Sequence, residues 1–207
     1  ISIILAVSLS LVVGFLGELS LGHAGFMCVG AYLGGKVAAL LAKTALGDIG
    51  EGIIVLVIAL VVGGLCAGIC GFIVGLPALR LKGDYLAIVT LAFGEIVRSI
   101  FMNSNEEVFG GSLGMETPRF NKSYLFIVAF VVVLICLAVM QNLIRSKHGR
   151  AITSIRDNEI AAKATGINVT KYKLLAFIVS AFFAGVAGVL YSHSNFTVQA
   201  TQFGYNY

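Results

Sequence analysis

Apolar runs close to twenty residues long recur along this chain, and that feature decides what it can fold into. A helix of about 20 apolar residues is what crosses the roughly 30 Å hydrocarbon core of a bilayer. Charge agrees: 12% of the 207 residues are charged and 58% are hydrophobic. A soluble domain carries roughly 25% charged residues, so half of the usual water-compatible surface is missing here. The sequence therefore reads as an all-α, polytopic transmembrane helical bundle lying in a lipid bilayer. Soluble enzymes, secreted disulfide scaffolds and nucleic-acid-binding modules are excluded.

Six membrane segments are expected, at Ile1–Gly17, Ala24–Ala42, Ile53–Leu79, Tyr85–Met102, Tyr124–Leu143 and Leu174–His193. All six belong to a single domain over residues 1–207. Because the chain opens at Ile1 inside an apolar run, it reads as an internal piece of a longer protein. Basic residues resist translocation, so their distribution sets orientation. The link 144–173 carries Arg145, Lys147, Arg150, Arg156, Lys163, Lys171 and Lys173 against Asp157 and Glu159. It is assigned to the cytoplasm. The link Asn103–Ser123, with Arg119 and Lys122 against Glu106, Glu107 and Glu116, is then external. Strict alternation puts Arg80 and Lys82 inside and Lys43, Asp48 and Glu51 outside.

Small residues four apart (Gly30 and Gly34, Gly64 and Gly68, Gly71 and Gly75, Ala184 and Gly188) predict close helix packing. The four cysteines, Cys28, Cys66, Cys70 and Cys136, lie inside apolar runs without metal-ligand spacing and read as small buried hydrophobes. No metal or cofactor is expected on this chain.

Polar residues at membrane depth mark candidate function, because a charge at the bilayer centre costs about 2.5–3.5 kcal/mol on insertion scales. Glu95 and Arg98 stand three apart on one helix, either as a structural ion pair or as part of a pathway lining. The run Gly17-Glu18-Leu19-Ser20-Leu21-Gly22-His23-Ala24-Gly25-Phe26 breaks an apolar stretch with an acid, a serine and a histidine. It reads either as a tight turn or as broken backbone facing a cavity. Under the second reading Glu18, Ser20, Gly22, His23 and Gly25 join Glu95 and Arg98 as candidate pathway residues.

In the basic link, Asp157 or Asn158 can cap a short helix that Gly166 ends in a left-handed conformation. Its Ile160, Ala161 and Ala164 side suits a groove on another protein. A helix lying on lipid is the alternative, and such small apolar residues grip lipid poorly.

Ala161-Ala162-x-x-x-Gly166 within a basic loop resembles the EAA loop of ABC-transporter permeases, with the acid, Glu159, one position further from the alanines. The Gly17–Phe26 run, the block Leu79-Arg-Leu-Lys-Gly-Asp-Tyr-Leu-Ala-Ile-Val-Thr-Leu-Ala-Phe-Gly-Glu-Ile-Val-Arg98 and Gly110-Gly111-Ser112-x-Gly114 are similar to the LivM-type permease family of branched-chain amino acid ABC importers. The resemblance covers nearly the whole chain. It implies a heteromeric importer in a bacterial or archaeal cytoplasmic (inner) membrane. Its parts would be a second, H-type permease subunit, two cytoplasmic ATP-binding subunits and an extracytoplasmic substrate-binding protein. The link 144–173 would be the coupling loop, with Arg150, Asp157, Glu159, Ala161, Ala162 and Gly166 at the ATPase contact. Urea, short amides or other amino acids are alternative substrates. The chain has no Gly-x4-Gly-Lys-Ser/Thr phosphate loop, so ATP and magnesium are assigned to the partner ATPase. A rival reading is an ATP-independent secondary transporter or channel with Glu95, Arg98 and His23 as an ion path.

Overall fold

A computed structural model describes residues 1–42, 53–78, 84–105, 109–118, 122–195 and 197–204. The expectations for Lys43, Asp48, Glu51, Arg80, Lys82, Glu106, Glu107 and Arg119, for the side chain of Lys122, and for the 79–83 part of the Leu79–Arg98 block concern positions outside that description. Eight α-helices order the described chain. They are α1 (Ser2–Ser10, prolonged by a π-helical turn over Leu11–Leu16), α2 (His23–Leu41), α3 (Ile53–Ala78), α4 (Asp84–Met102), α5 (Lys122–Arg145), α6 (Lys147–Asp157), α7 (Glu159–Ala164) and α8 (Val169–Ser194). Helices α2, α3, α4, α5 and α8 are each long and apolar enough to cross a membrane, while the helical run Ser2–Leu16 is shorter. The chain is an all-α, multi-pass membrane bundle, with five such spans against the six segments expected.

The core is α8 packed along α2 and α3. Small residues permit the approach. A Cβ on Gly188 would overlap the carbonyl oxygen of Met27, and one on Gly71 would lie 2.6 Å from the Ala181 methyl. In lipid, where helices gain little from hydrophobic association, such backbone proximity supplies the attraction. Helix direction follows from the pairings. His23 and Gly35 of α2 lie beside Ser180 and Ser192 of α8, so those two helices run parallel. Gly63 and Gly71 of α3 meet Val189 and Ala181 in the reverse order. Helix α4 runs with α2, placing Gly94 against Gly25 and Phe101 against Tyr32. Up-and-down alternation therefore holds, and the links 103–121 and 146–168 emerge at opposite ends of the bundle.

The link after α5 folds more completely than its polarity suggests. Ser146 caps α6 by accepting from the His148 and Gly149 amides, and Ala151, Ile152 and Ile155 turn inward. Ile155 then joins Ala162 and Val169 in a small second core, with Ile167 and Tyr172 against it. At the other end a two-residue strand β1 (Met115–Glu116) pairs antiparallel with β2 (Thr197–Val198). The Tyr32 hydroxyl donates to the Val198 carbonyl at 3.1 Å, and the Thr117 hydroxyl donates to the Ser192 carbonyl at 2.7 Å. Tyr32 also stacks on Phe101, with ring centroids 4.4 Å apart.

Candidate functional site

The interruption after α1 is broken backbone inside the bundle. Helix α1 loosens into its π-helical turn, the Glu18 amide reaches back to the Val12 carbonyl, and Gly17 closes the turn at φ 77°. Its neighbour explains why a glycine stands there: a Cβ would lie 2.7 Å from Cγ of Arg156. Helix α2 then starts at the level of Ser180, whereas Glu18 is paired with Lys173. Seven residues of α8 separate those levels, a climb of about 10 Å at 1.5 Å per residue. The segment makes that climb through residues 19–21, which lie between the last bonds of the π-helical turn, to Val12, and the first bonds of α2, to Gly22. Its Leu21 amide donates instead to Oγ1 of Thr90 at 3.1 Å, and Gly22 fits where a side chain would press on the Thr90 carbonyl. Non-helical backbone at membrane depth needs such substitutes, since lipid offers none.

Along this segment polar groups face inward. The Ser20 hydroxyl is buried and has no hydrogen-bond partner among the described residues. Ser180 donates its hydroxyl proton to the Ser8 carbonyl at 2.5 Å, so the 2.7 Å contact with His23 requires Nε2 to be the donor. Nδ1 of His23 has no partner among the described residues. Beside it, a cavity of about 280 Å³ opens between α1, α2 and the end of α8, lined by Leu5, Leu9, Met27, Tyr191 and Phe203. Gly25 is packed against the backbone of Gly94.

Glu95 and Arg98 pair with each other on α4, at 2.6 and 2.9 Å. Their side chains remain 41% and 31% exposed, on a helix that also presents Ile88, Ile96 and Ile100 outward. The two charges satisfy each other along α4 while staying partly exposed, pairing being one of the ways ionisable residues are accommodated within membrane helices. His23 is turned to α8 and the ion pair bonds within α4. Among the described contacts the three residues form no continuous hydrogen-bonded chain.

Helix α7 matches its expected ends. Of the two candidate caps it is Asn158 that accepts from the Ile160 and Ala161 amides, each at 3.0 Å. Asp157 pairs with Arg156 instead, at 3.0 Å. After the helix, Gly166 sits at φ 85°, its amide on the Lys163 carbonyl and that of Ile167 on Ala162. Those are the two bonds of a Schellman end, which satisfies carbonyls the helix leaves open. Ile160 is 82% exposed, Ala161 and Ala164 are exposed beside it, and Ala162 faces the small core. Arg150 is exposed on α6. Hydrogen bonding from Lys163 holds the Glu159 carboxyl below the usual carboxylate range; burial opposes it, and a further hydrogen bond from Lys173 adds to the lowering.

Sequence reasoning missed Lys173, which is 5% exposed and joins Glu18 at 2.5 Å to Glu159 at 3.1 Å. No local pattern could have found it, because Glu18 is 155 positions away. Thr90 was missed for the same reason. Helix α6 did leave a signal, the Ser146 cap followed by Ala151, Ile152 and Ile155 at helical spacing. No cluster that could hold a metal ion occurs among the described residues.

The family model for the branched-chain amino acid transport system permease component matches residues 1–207. The chain belongs to this family. It is 38% identical to the high-affinity branched-chain amino acid transport system permease protein LivM of Salmonella typhimurium, over 93% of this chain and 50% of that one. Identity to the Escherichia coli LivM is 37%, with the same coverage. A probable LivM of Methanocaldococcus jannaschii is 30% identical over 73% of this chain and 46% of its own length. The chain thus spans about half the length of the curated permeases it matches. No solved structure matches it.

Proposed function

We propose that this chain is part of the permease subunit of an ATP-driven importer of branched-chain amino acids, contributing half of a translocation pathway. One observation carries the reading most directly. Helix α7 is capped at both ends, yet holds Ile160, Ala161 and Ala164 outward, which is the face a docking helix offers to a partner groove. The partner would be one of two cytoplasmic ATP-binding subunits, where ATP and magnesium act. A second, H-type permease would supply the other half of the pathway. An extracytoplasmic binding protein would deliver substrate. The membrane would be the bacterial or archaeal cytoplasmic one.

In this reading the unwound 17–22 segment and the exposed Glu95–Arg98 pair of α4 border the pathway. Glu18, Ser20, Gly22, His23 and Gly25 shape it from α1 and α2, and closure of the ATPases moves α7 to switch access. Purification of the full-length protein in detergent should bring down an ATPase and a second permease. Substituting Gly166→Val should release the ATPase, and leucine uptake into vesicles should require ATP. Uptake that persists without ATP and collapses under a proton uncoupler would overturn this reading in favour of a secondary carrier.

A further inference from the structure

The residues on the docking helix and those on the unwound segment meet at one side chain. Lys173, near the start of α8, is buried, and its ammonium donates to Oε1 of Glu18 at 2.5 Å and to Oε2 of Glu159 at 3.1 Å. The other oxygen of Glu159 accepts from Lys163 at 2.6 Å. Two cations and two carboxylates thus form a charge-balanced line running from the exposed face of α7 to the foot of the unwound segment. A second strap lies beside it. Arg156 crosses over Gly17 and donates from Nη1 to the Gly14 carbonyl at 2.9 Å.

Within this line only the Lys173–Glu18 pair is largely buried; buried ion pairs are poor sources of stability, since their desolvation offsets most of the attraction, and their best-attested use is to fix register. Here the register is between elements far apart in the chain, and the element at the receiving end is the compliant one. Between the last bonds of the π-helical turn, to Val12, and the first of α2, to Gly22, the backbone leaves the helix, and the Leu21 amide bonds Thr90 of α4 instead. Helix α7 has six residues and a small core beneath it, so it too can shift at low cost.

We propose that Lys173 is the joint through which displacement of α7 reaches Glu18 and the unwound segment, a positioning residue and not a substrate ligand. This rests on the importer reading above. When α7 moves, Glu159 moves with it, and Lys173 must either draw Glu18 along or exchange one carboxylate for the other. Both outcomes change the geometry at the foot of the pathway.

The test uses the full-length permease assembled with its partner subunits in proteoliposomes, with radiolabelled leucine and ATP. The readout is leucine moved per ATP hydrolysed. Lys173→Met should lower that ratio at least tenfold in complexes that still assemble, while Lys173→Arg keeps it within about threefold of wild type. Glu18→Ala severs only the upper contact and should give the same loss, with the double variant no worse than either single one. If Lys173→Met fails to assemble, Glu18→Ala decides alone. An unchanged ratio in either assembled variant overturns the joint. A wild-type complex without ATP-dependent uptake would instead remove the importer reading, and the joint with it.

Discussion

Gly30 of α2 and Gly185 of α8 are packed backbone to backbone, so closely that a Cβ on Gly30 would overlap the Gly185 carbonyl oxygen. Substituting Gly30→Val should therefore push the two central helices apart. Overpacking of this kind costs about 1–3 kcal/mol. Thermal unfolding in detergent should shift down by several degrees, whereas Gly14→Ala, which meets nothing within 4 Å, should leave the midpoint in place or raise it. Equal midpoints for the two variants would mean that the glycine contact does not hold the bundle.

Asn158 supplies the only side chain seen accepting from the first turn of α7 among the described residues. Losing such a cap costs about 1 kcal/mol, a large share of what a six-residue helix has. Asn158→Ala should raise amide exchange over 159–164 roughly fivefold, while Asn158→Asp stays near wild type. Uniform exchange in all three proteins would show that the small core alone holds α7.

Gly166 has open space around it but a left-handed backbone, so strain and not collision governs its replacement. That conformation costs an ordinary residue about 1–2 kcal/mol, less for Asn. Gly166→Val should weaken ATPase association about tenfold in a detergent binding assay, with Gly166→Asn intermediate. The reverse order would point to side-chain contact.

On α4, Glu95→Gln leaves the Arg98 guanidinium without its carboxylate at membrane depth. Exchanging the two residues restores the pair in reverse. The exchange should retain several times more uptake than either single substitution if the pair is structural. Equal loss in all three would assign the charges individual roles in the pathway.

Glu159 gives a pH dependence with a definite sign. Its carboxyl is held below the ordinary value of about 4.3, first by Lys163 and then by Lys173. The stability it lends to α7 is fully present above that ordinary value and is lost as pH falls through the lower folded one. Exchange protection of 159–164 should be flat from neutral pH to about 5 and then decline. Glu159→Gln should remove the acid limb. A decline centred above pH 6 in the wild-type protein would implicate another group.

The membrane helices were legible because hydropathy is a local property, summed over about twenty neighbouring residues. Both ends of α7 were legible for the same reason: Asn158 and Gly166 act on backbone within a few positions. The start of α8 was placed late, at Leu174, because Asn168 caps a polar first turn that reads as loop. What could not be read was any pairing across the chain. Lys173 looks like one more basic residue in a basic link, and only the fold shows it buried against Glu18 and Glu159. The choice between turn and broken backbone at Gly17–Gly22 depended likewise on Thr90, some seventy positions on. The Met115–Val198 ladder is two residues long, too short for any strand pattern.

That ladder makes the molecule mechanically asymmetric. At its end, Tyr32, Phe101, Thr117 and Val198 tie α2, α4 and α8 to the described 109–118 part of the long link. At the opposite end, hydrogen-bonded helix is replaced by an unwound segment held by a handful of side chains. If α7 is the docking helix proposed above, a load applied to it would enter at the end opposite this brace. On that proposal, displacement would be greatest beside Glu18 and would fade toward Tyr32, where the brace holds the helices together.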